Sequence, residues 1–243
     1  MVCFVTLSVR VAQAQTIAFS DTVNYWPGWG NGGYTDAVDS LGIPDFTGGT
    51  AVVTNNKLYN LTFTHTPVPG WAVPWWGSLS PGDLFIDVGA NKTWDYVVDL
   101  TNWSVSGSGV TDPAAGNYNL YSVNIPLNSS TGYIFSGTSY VGGWTGYDIR
   151  DGHPVAADIA WNPNGGTAGF SGWDDGSGTS YSFNLNGLDL GPSGQFIIGW
   201  GPNCANDVVY EKLSYPVPEP ATMSLLGLGL LGLVGFKKRT GAK

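Results

Sequence analysis

Apart from its aspartates, few side chains in this sequence can act as acids, bases or metal ligands near neutral pH. There are two histidines (His65 and His153), two glutamates (Glu211 and Glu219) and two cysteines (Cys3 and Cys204). A catalytic acid and base would therefore have to come mainly from the aspartates. No Gly-x-Ser-x-Gly elbow, His-Glu-x-x-His pair or phosphate-binding loop is present. The densest polar cluster is Asp148-Ile149-Arg150-Asp151-Gly152-His153-Pro154, which gathers two carboxylates, a guanidinium and an imidazole in one turn. An ion pair that simply holds a loop uses the same residues. Two aspartates can act as a glycosidase pair, but with so many in the chain such a pair is easily found by accident. His65 falls on the apolar face of an alternating segment, the usual place of a core histidine. No catalytic residue is assigned, and a carbohydrate-active enzyme using aspartates is kept as the alternative.

Two other chemistries suit the residues better. Asp174-Asp175-Gly176-Ser177-Gly178 and Asn206-Asp207 offer the carboxylate and amide oxygens that calcium selects, so Asp174, Asp175 and Asp207 are candidate ligands for a structural ion. Neither stretch has the EF-hand spacing, and Asp-Gly is also ordinary turn chemistry. Trp26 and Trp29, and Trp71, Trp75 and Trp76, lie in Gly/Pro-rich stretches. Flat rings beside amides and hydroxyls can hold sugar faces, or they can seal the ends of a sheet structure.

The elements that must position these residues are strands. Tyr59, Leu61, Phe63 and His65 alternate with polar residues. So do Trp94, Tyr96, Val98 and Leu100; Tyr121, Val123 and Ile125; and Tyr181, Phe183 and Leu185. Phe196, Ile198 and Trp200 form a further face, and Val208 with Tyr210 starts a last one. Ala51 to Thr54, Leu84 to Val88 and Ala157 to Trp161 are shorter candidates. Period two bounded by Gly, Pro, Asn and Asp predicts antiparallel strands joined by turns. Nine or ten such strands without an amphipathic helix predict an all-β, jelly-roll-like sandwich. With 243 residues the chain is long enough for one large core.

Composition excludes other classes. Only 11% of residues are charged, and the formal net charge is −9. Residues 15–216 hold four bases against seventeen acids, a net −13. Nucleic acid is not a partner for such a surface, because neutralising phosphates requires clustered Lys and Arg. Cys204, in Asn203-Cys204-Ala205-Asn206-Asp207, is the one cysteine of the body and reads as a small buried residue.

The two ends carry addresses. Residues 1–14 finish in Ala12-Gln13-Ala14, small residues that fit a secretory cut before Gln15. The usual basic start is missing, so this reads as the back half of a signal peptide. A buried first strand is the competing reading. Residues 15–216 are the β body, and residues 217–243 form a distinct tail. There, Pro218-Glu219-Pro220 precedes an uncharged Leu/Gly-rich span from Ala221 to Phe236, closed by Lys237, Lys238 and Arg239. Sixteen residues make about 24 Å of helix, short of a hydrocarbon core of about 30 Å. The basic cluster would stay on the cytoplasmic side and leave the body outside.

This three-part tail resembles the PEP-CTERM sorting signal of exported bacterial proteins. The resemblance implies an exosortase as partner, a membrane-embedded cysteine transpeptidase that cuts near the Pro-Glu-Pro. It also implies transient membrane insertion through a short hydrophobic helix, followed by delivery to the cell surface or outside. The stretch from Ile197 to Glu211 is similar to the end of ectodomains that precede such tails. The expected protein is thus a non-catalytic surface or extracellular-matrix protein that contacts exopolysaccharide, with no cofactor beyond the candidate calcium.

Overall fold

The computed structural model describes residues 13–22, 45–66, 72–73, 77–78, 81–100, 115–126, 165–172, 180–201, 207–217, 227 and 229. Its strands are β1 (Gln15–Phe19), β2 (Phe46–Thr54), β3 (Lys57–His65), β4 (Ala72–Val73), β5 (Gly77–Ser78) and β6 (Leu84–Val88). They continue with β7 (Thr93–Asp99), β8 (Gly116–Pro126), β9 (Gly166–Ser171), β10 (Ser180–Asp189), β11 (Gln195–Trp200) and β12 (Val209–Ser214). β4 and β5 pair only with each other. The other ten form one sheet in the order β1-β2-β3-β10-β9-β8-β7-β6-β11-β12, antiparallel throughout.

The all-β, antiparallel expectation holds. The two walls of the core belong to one sheet, which curls until it is nearly closed into a barrel. β1 and β12, its two edges, come together. Across that seam the Glu211 carboxylate accepts hydrogen bonds from the Thr22 backbone N–H (2.8 Å) and hydroxyl (2.7 Å). Closure removes exposed strand edges, which otherwise invite pairing with other chains. On β2, Gly48 has φ +124°, and a Cβ there would meet the Phe19 carbonyl oxygen at 2.2 Å. Glycine is what lets β2 lie this close to the end of β1.

The interior is aromatic. Trp200 is fully buried, with ring centroids 4.6 Å from Phe63, 5.1 Å from Tyr181, 5.2 Å from Phe46 and 5.5 Å from Phe183. Its indole N–H donates to the Gly82 carbonyl at 2.9 Å. Leu61, Phe63, Tyr181, Phe183, Leu185, Phe196, Ile198 and Trp200 all point inward, as their alternation predicts.

Elsewhere simple alternation assigns the wrong face. A bulge near the start of β3, where Asn60 and Leu58 face Val52 and Val53, leaves the extra residue Tyr59 39% exposed and turns Leu58 inward. A second irregularity, between Trp94 and Tyr96, sends Trp94 to the other side of its wall, against Phe85 (5.5 Å) and Tyr210 (6.1 Å). Phe85, Val97, Tyr121, Val123, Ile197 and Val208 are also buried but lie outside the main core cluster. The wall around β6, β7, β8 and β11 is therefore buried on both faces. Val209, Leu213 and Tyr215 fill the core where Val208 and Tyr210 were expected.

The Ala157–Trp161 candidate strand lies outside the described residues. In the tail, Gly227 and Gly229 have helical backbone, and residues 218–226, 228 and 230–243 lie outside the described residues. Among the described residues no helix is long and apolar enough to cross a membrane.

Candidate functional site

Of the predicted site residues, the structure describes Asp207 and His65. Trp26, Trp29, Trp71, Trp75, Trp76, Asp174, Asp175, Cys204, the Asp148–Pro154 cluster, the Pro218–Pro220 motif and the Lys237–Arg239 stop lie outside the described residues. His65 is 4% exposed, stacked on Tyr181 at 4.8 Å and 9°, and its Nδ1 lies 2.8 Å from the Thr66 carbonyl oxygen. This is the core histidine that its position on the apolar face predicts.

The buried carboxylates serve the backbone. Asp207 Oδ2 accepts the Phe46 N–H, and Asp83 Oδ1 accepts the Leu100 N–H at 2.8 Å. Asp87 ties down the β6–β7 turn, taking the Asn91 N–H (3.0 Å) and the Lys92 N–H (2.9 Å). Asp95 Oδ2 accepts the Val88 N–H at 2.7 Å. Burial raises the Asp87 carboxyl above its ordinary value. The Asn91 and Lys92 amides oppose that rise, and the Asp95 charge adds to it. Asp95 is likewise raised by burial, against the Val88 hydrogen bond. These aspartates satisfy N–H groups that strand ends and turns would otherwise leave unpaired. Among the described residues no group of three or more His, Cys, Asp or Glu is placed to hold a metal ion.

A polar groove opens on the barrel wall where β9 is short. β9 starts at Gly166, opposite Leu120, while β8 runs on to Pro126. β10 leaves its register with β3 between Asn184 and Leu188, and there Asn186 (φ +52°) and Gly187 (φ +80°) are both left-handed. The resulting groove, about 590 Å³, is lined by Tyr96, Ser122, Thr167, Asn186 and Asp189, with Leu120 and Leu185 among its apolar lining. Asn186 is fixed by its side-chain amide on the Thr167 carbonyl (2.9 Å) and its N–H on Asn184 Oδ1 (3.0 Å). Burial raises the Tyr96 hydroxyl above its ordinary value, and the Asp95 and Asp189 charges push it further. It therefore remains a protonated donor at neutral pH. Such a lining combines hydroxyl, amide and carboxylate groups with a few apolar side chains, a mixture able to hydrogen-bond a polar ligand. None of these residues stood out in the sequence. The signal for them was the Asn186-Gly187 dipeptide, a turn sequence placed inside an alternating run.

The second functional feature is the exit of the chain. Among the described residues the last strand runs through Ser214, and the described backbone continues through Tyr215 to Val217, one residue before Pro218. No curated protein and no solved structure matches the chain. Residues 216–239, which begin at this exit, match the family model of the PEP-CTERM protein-sorting motif. The chain thus carries a PEP-CTERM protein-sorting motif at its C-terminus, directly behind the closing strand of the β body.

Proposed function

We propose that this exported, exosortase-sorted chain comes to rest at the cell surface or in the extracellular matrix, where its β body contacts exopolysaccharide without catalysing a reaction on it. The observation that carries the reading is the sorting motif at residues 216–239, which makes export and passage through the membrane part of the chain's route. Several features support the finer part. The described buried carboxylates are engaged with backbone N–H groups, the role of structural rather than catalytic acids. The groove at Tyr96 and Asp189 offers hydroxyl, amide and carboxylate groups of the kind that bind vicinal sugar hydroxyls. Trp26, Trp29, Trp71, Trp75 and Trp76 supply flat rings for sugar faces. A body at net −13 favours neutral glycans over acidic ones.

Co-sedimentation with insoluble neutral polysaccharides tests this, using the body with and without Ala at the five tryptophans and with Tyr96→Ala. Retention by the wild type, weakened in the variants, with no reducing ends released, is the expected result. Steady release of reducing ends would favour the aspartate-based enzyme instead. Absence of binding to every polymer would remove the glycan part of the reading.

A further inference from the structure

The folded body reaches the sorting motif with no spacer, and the contact between them is specific. Tyr215 is 5% exposed, and its N–H donates to the Gly194 carbonyl at 2.8 Å. Its single hydroxyl proton is shared between the Leu190 and Gly191 carbonyls, each 2.8 Å away, and its ring lies 6.1 Å from Phe196. Gly194 has φ +74°, and a Cβ there would come within 3.1 Å of Val217 Cγ2 and 3.2 Å of the Tyr215 oxygen. The exit segment is therefore packed against the β10–β11 turn. That turn is braced in its own right. Leu190 N–H donates to Asn56 in the β2–β3 turn (2.7 Å), and Gly89 N–H of the β6–β7 turn donates to Gln195 (3.0 Å). Two hairpin turns, the β10–β11 crossover turn and the exit thus form one connected end of the barrel.

Pro218 follows Val217 directly. Each residue spans at most about 3.6 Å, so Glu219 lies no more than about 7 Å from Val217, whatever path the chain takes. A processing enzyme that holds its substrate as an extended strand needs main-chain groups on both sides of the cut. Here the body-side flank already has its Tyr215 N–H and side chain committed to the fold.

We propose that Tyr215 is a positioning residue for tail processing: while latched to the β10–β11 turn it withholds the upstream flank of the sorting motif, and peeling of this flank sets the rate of cutting. The inference rests on the exosortase reading above. In the cut itself the scissile carbonyl carbon exchanges its bond to the tail's nitrogen for one to the enzyme's thiolate. The released nitrogen takes a proton, and the acyl group then passes to an acceptor amine or to water. None of this begins until the flank is free.

Pulse-chase of the full chain in exosortase-containing cells, read as loss of the tail by mass, provides the test. Two variants are compared with the wild type: Tyr215→Phe, and a Gly-Ser-Gly-Ser insertion between Val217 and Pro218. Loss of the shared hydrogen bond should speed tail loss by about five- to thirtyfold. The insertion should also speed it while leaving the thermal melt of the body unchanged, a result that a purely structural Tyr215 would not produce. If Tyr215→Phe fails to fold, the insertion variant decides alone. Tail loss at or below the wild-type rate in the insertion variant overturns the proposal. A wild type that never loses its tail overturns the sorting reading itself, which is a different outcome from an unchanged rate.

Discussion

Replacing Asp207 with Ala separates two roles for the one candidate calcium ligand that the structure describes. Asp207 is 5% exposed and sits just before β12, where Oδ2 accepts the backbone N–H of Phe46 at the start of β2. Phe46 in turn packs its ring 5.2 Å from Trp200 and 6.1 Å from Tyr181. The carboxylate thus pins the entry of β2 over the aromatic core, across the closing seam of the sheet. Removing it leaves a buried N–H without this acceptor, and hydrogen bonds to charged groups contribute about 1.5–3 kcal/mol. For a domain of this size about 2–4 °C of Tm accompanies each kcal/mol, so Asp207→Ala should lower Tm by about 3–12 °C. Asp207→Asn keeps an acceptor oxygen and should cost less than half as much. Calorimetry with and without chelator is the assay. The acceptor role predicts the same loss in both conditions. A wild type destabilised by chelator, with Asp207→Asn as damaging as Asp207→Ala, would refute this reasoning and favour Asp207 as a calcium ligand. So would an Asp207→Ala melt identical to that of the wild type.

Three further outcomes follow from the same contacts. Glu211→Ala removes both hydrogen bonds to Thr22 at the seam; it should cost about 1–2 kcal/mol and speed limited proteolysis near β1, while Glu211→Gln should largely restore both. Trp200→Phe loses the bond to Gly82 within a close-packed ring cluster and should cost about 1–3 kcal/mol by urea unfolding, whereas Tyr59→Phe, on the exposed side of its bulge, should be nearly silent. Asp87 and Asp95 are both raised above 3.8, so the folded state binds their protons more tightly than the unfolded one. Their contribution is full below 3.8 and is lost as pH rises through the folded values. Asp95→Asn should therefore gain stability relative to the wild type over that rise. A difference that is flat with pH would contradict the raised carboxyl.

How much of this could be read in advance varies along the chain. The inward faces of β10 and β11 were legible because Tyr181, Phe183 and Leu185, and then Phe196, Ile198 and Trp200, alternate without interruption. Tyr59 and Trp94 were misplaced because a bulge adds one residue to one strand and inverts the parity beyond it, which no period-two pattern records. Val97 and Ile197 went unrecognised as part of a second buried face because alternation assumes that one side of each strand is wet. Single-sheet closure was hidden too, since β1 and β12, which meet at the seam, lie at opposite ends of the sequence. Asp87 and Asp95 were read only as strand residues, yet their carboxylates hold the β6–β7 turn; the Asp-Gly stretch read as turn chemistry lies outside the described residues. The groove was missed because its residues come from β7, β8, β9 and β10, and become neighbours only because β9 starts as late as Gly166 while β8 runs on to Pro126. The sorting motif was legible because Pro218-Glu219-Pro220, the apolar span and the basic end lie contiguous in the sequence and need no tertiary contact to be seen.

The central claim, that this is an exported chain whose C-terminal address is removed in processing, is tested most directly by intact-mass spectrometry of the released protein from cells with and without an exosortase. The account predicts a product ending near Pro218-Glu219-Pro220 and lacking Lys237, Lys238 and Arg239 in the first, and retention of the full tail in the membrane fraction in the second. A released product that still contains Arg239 would contradict it.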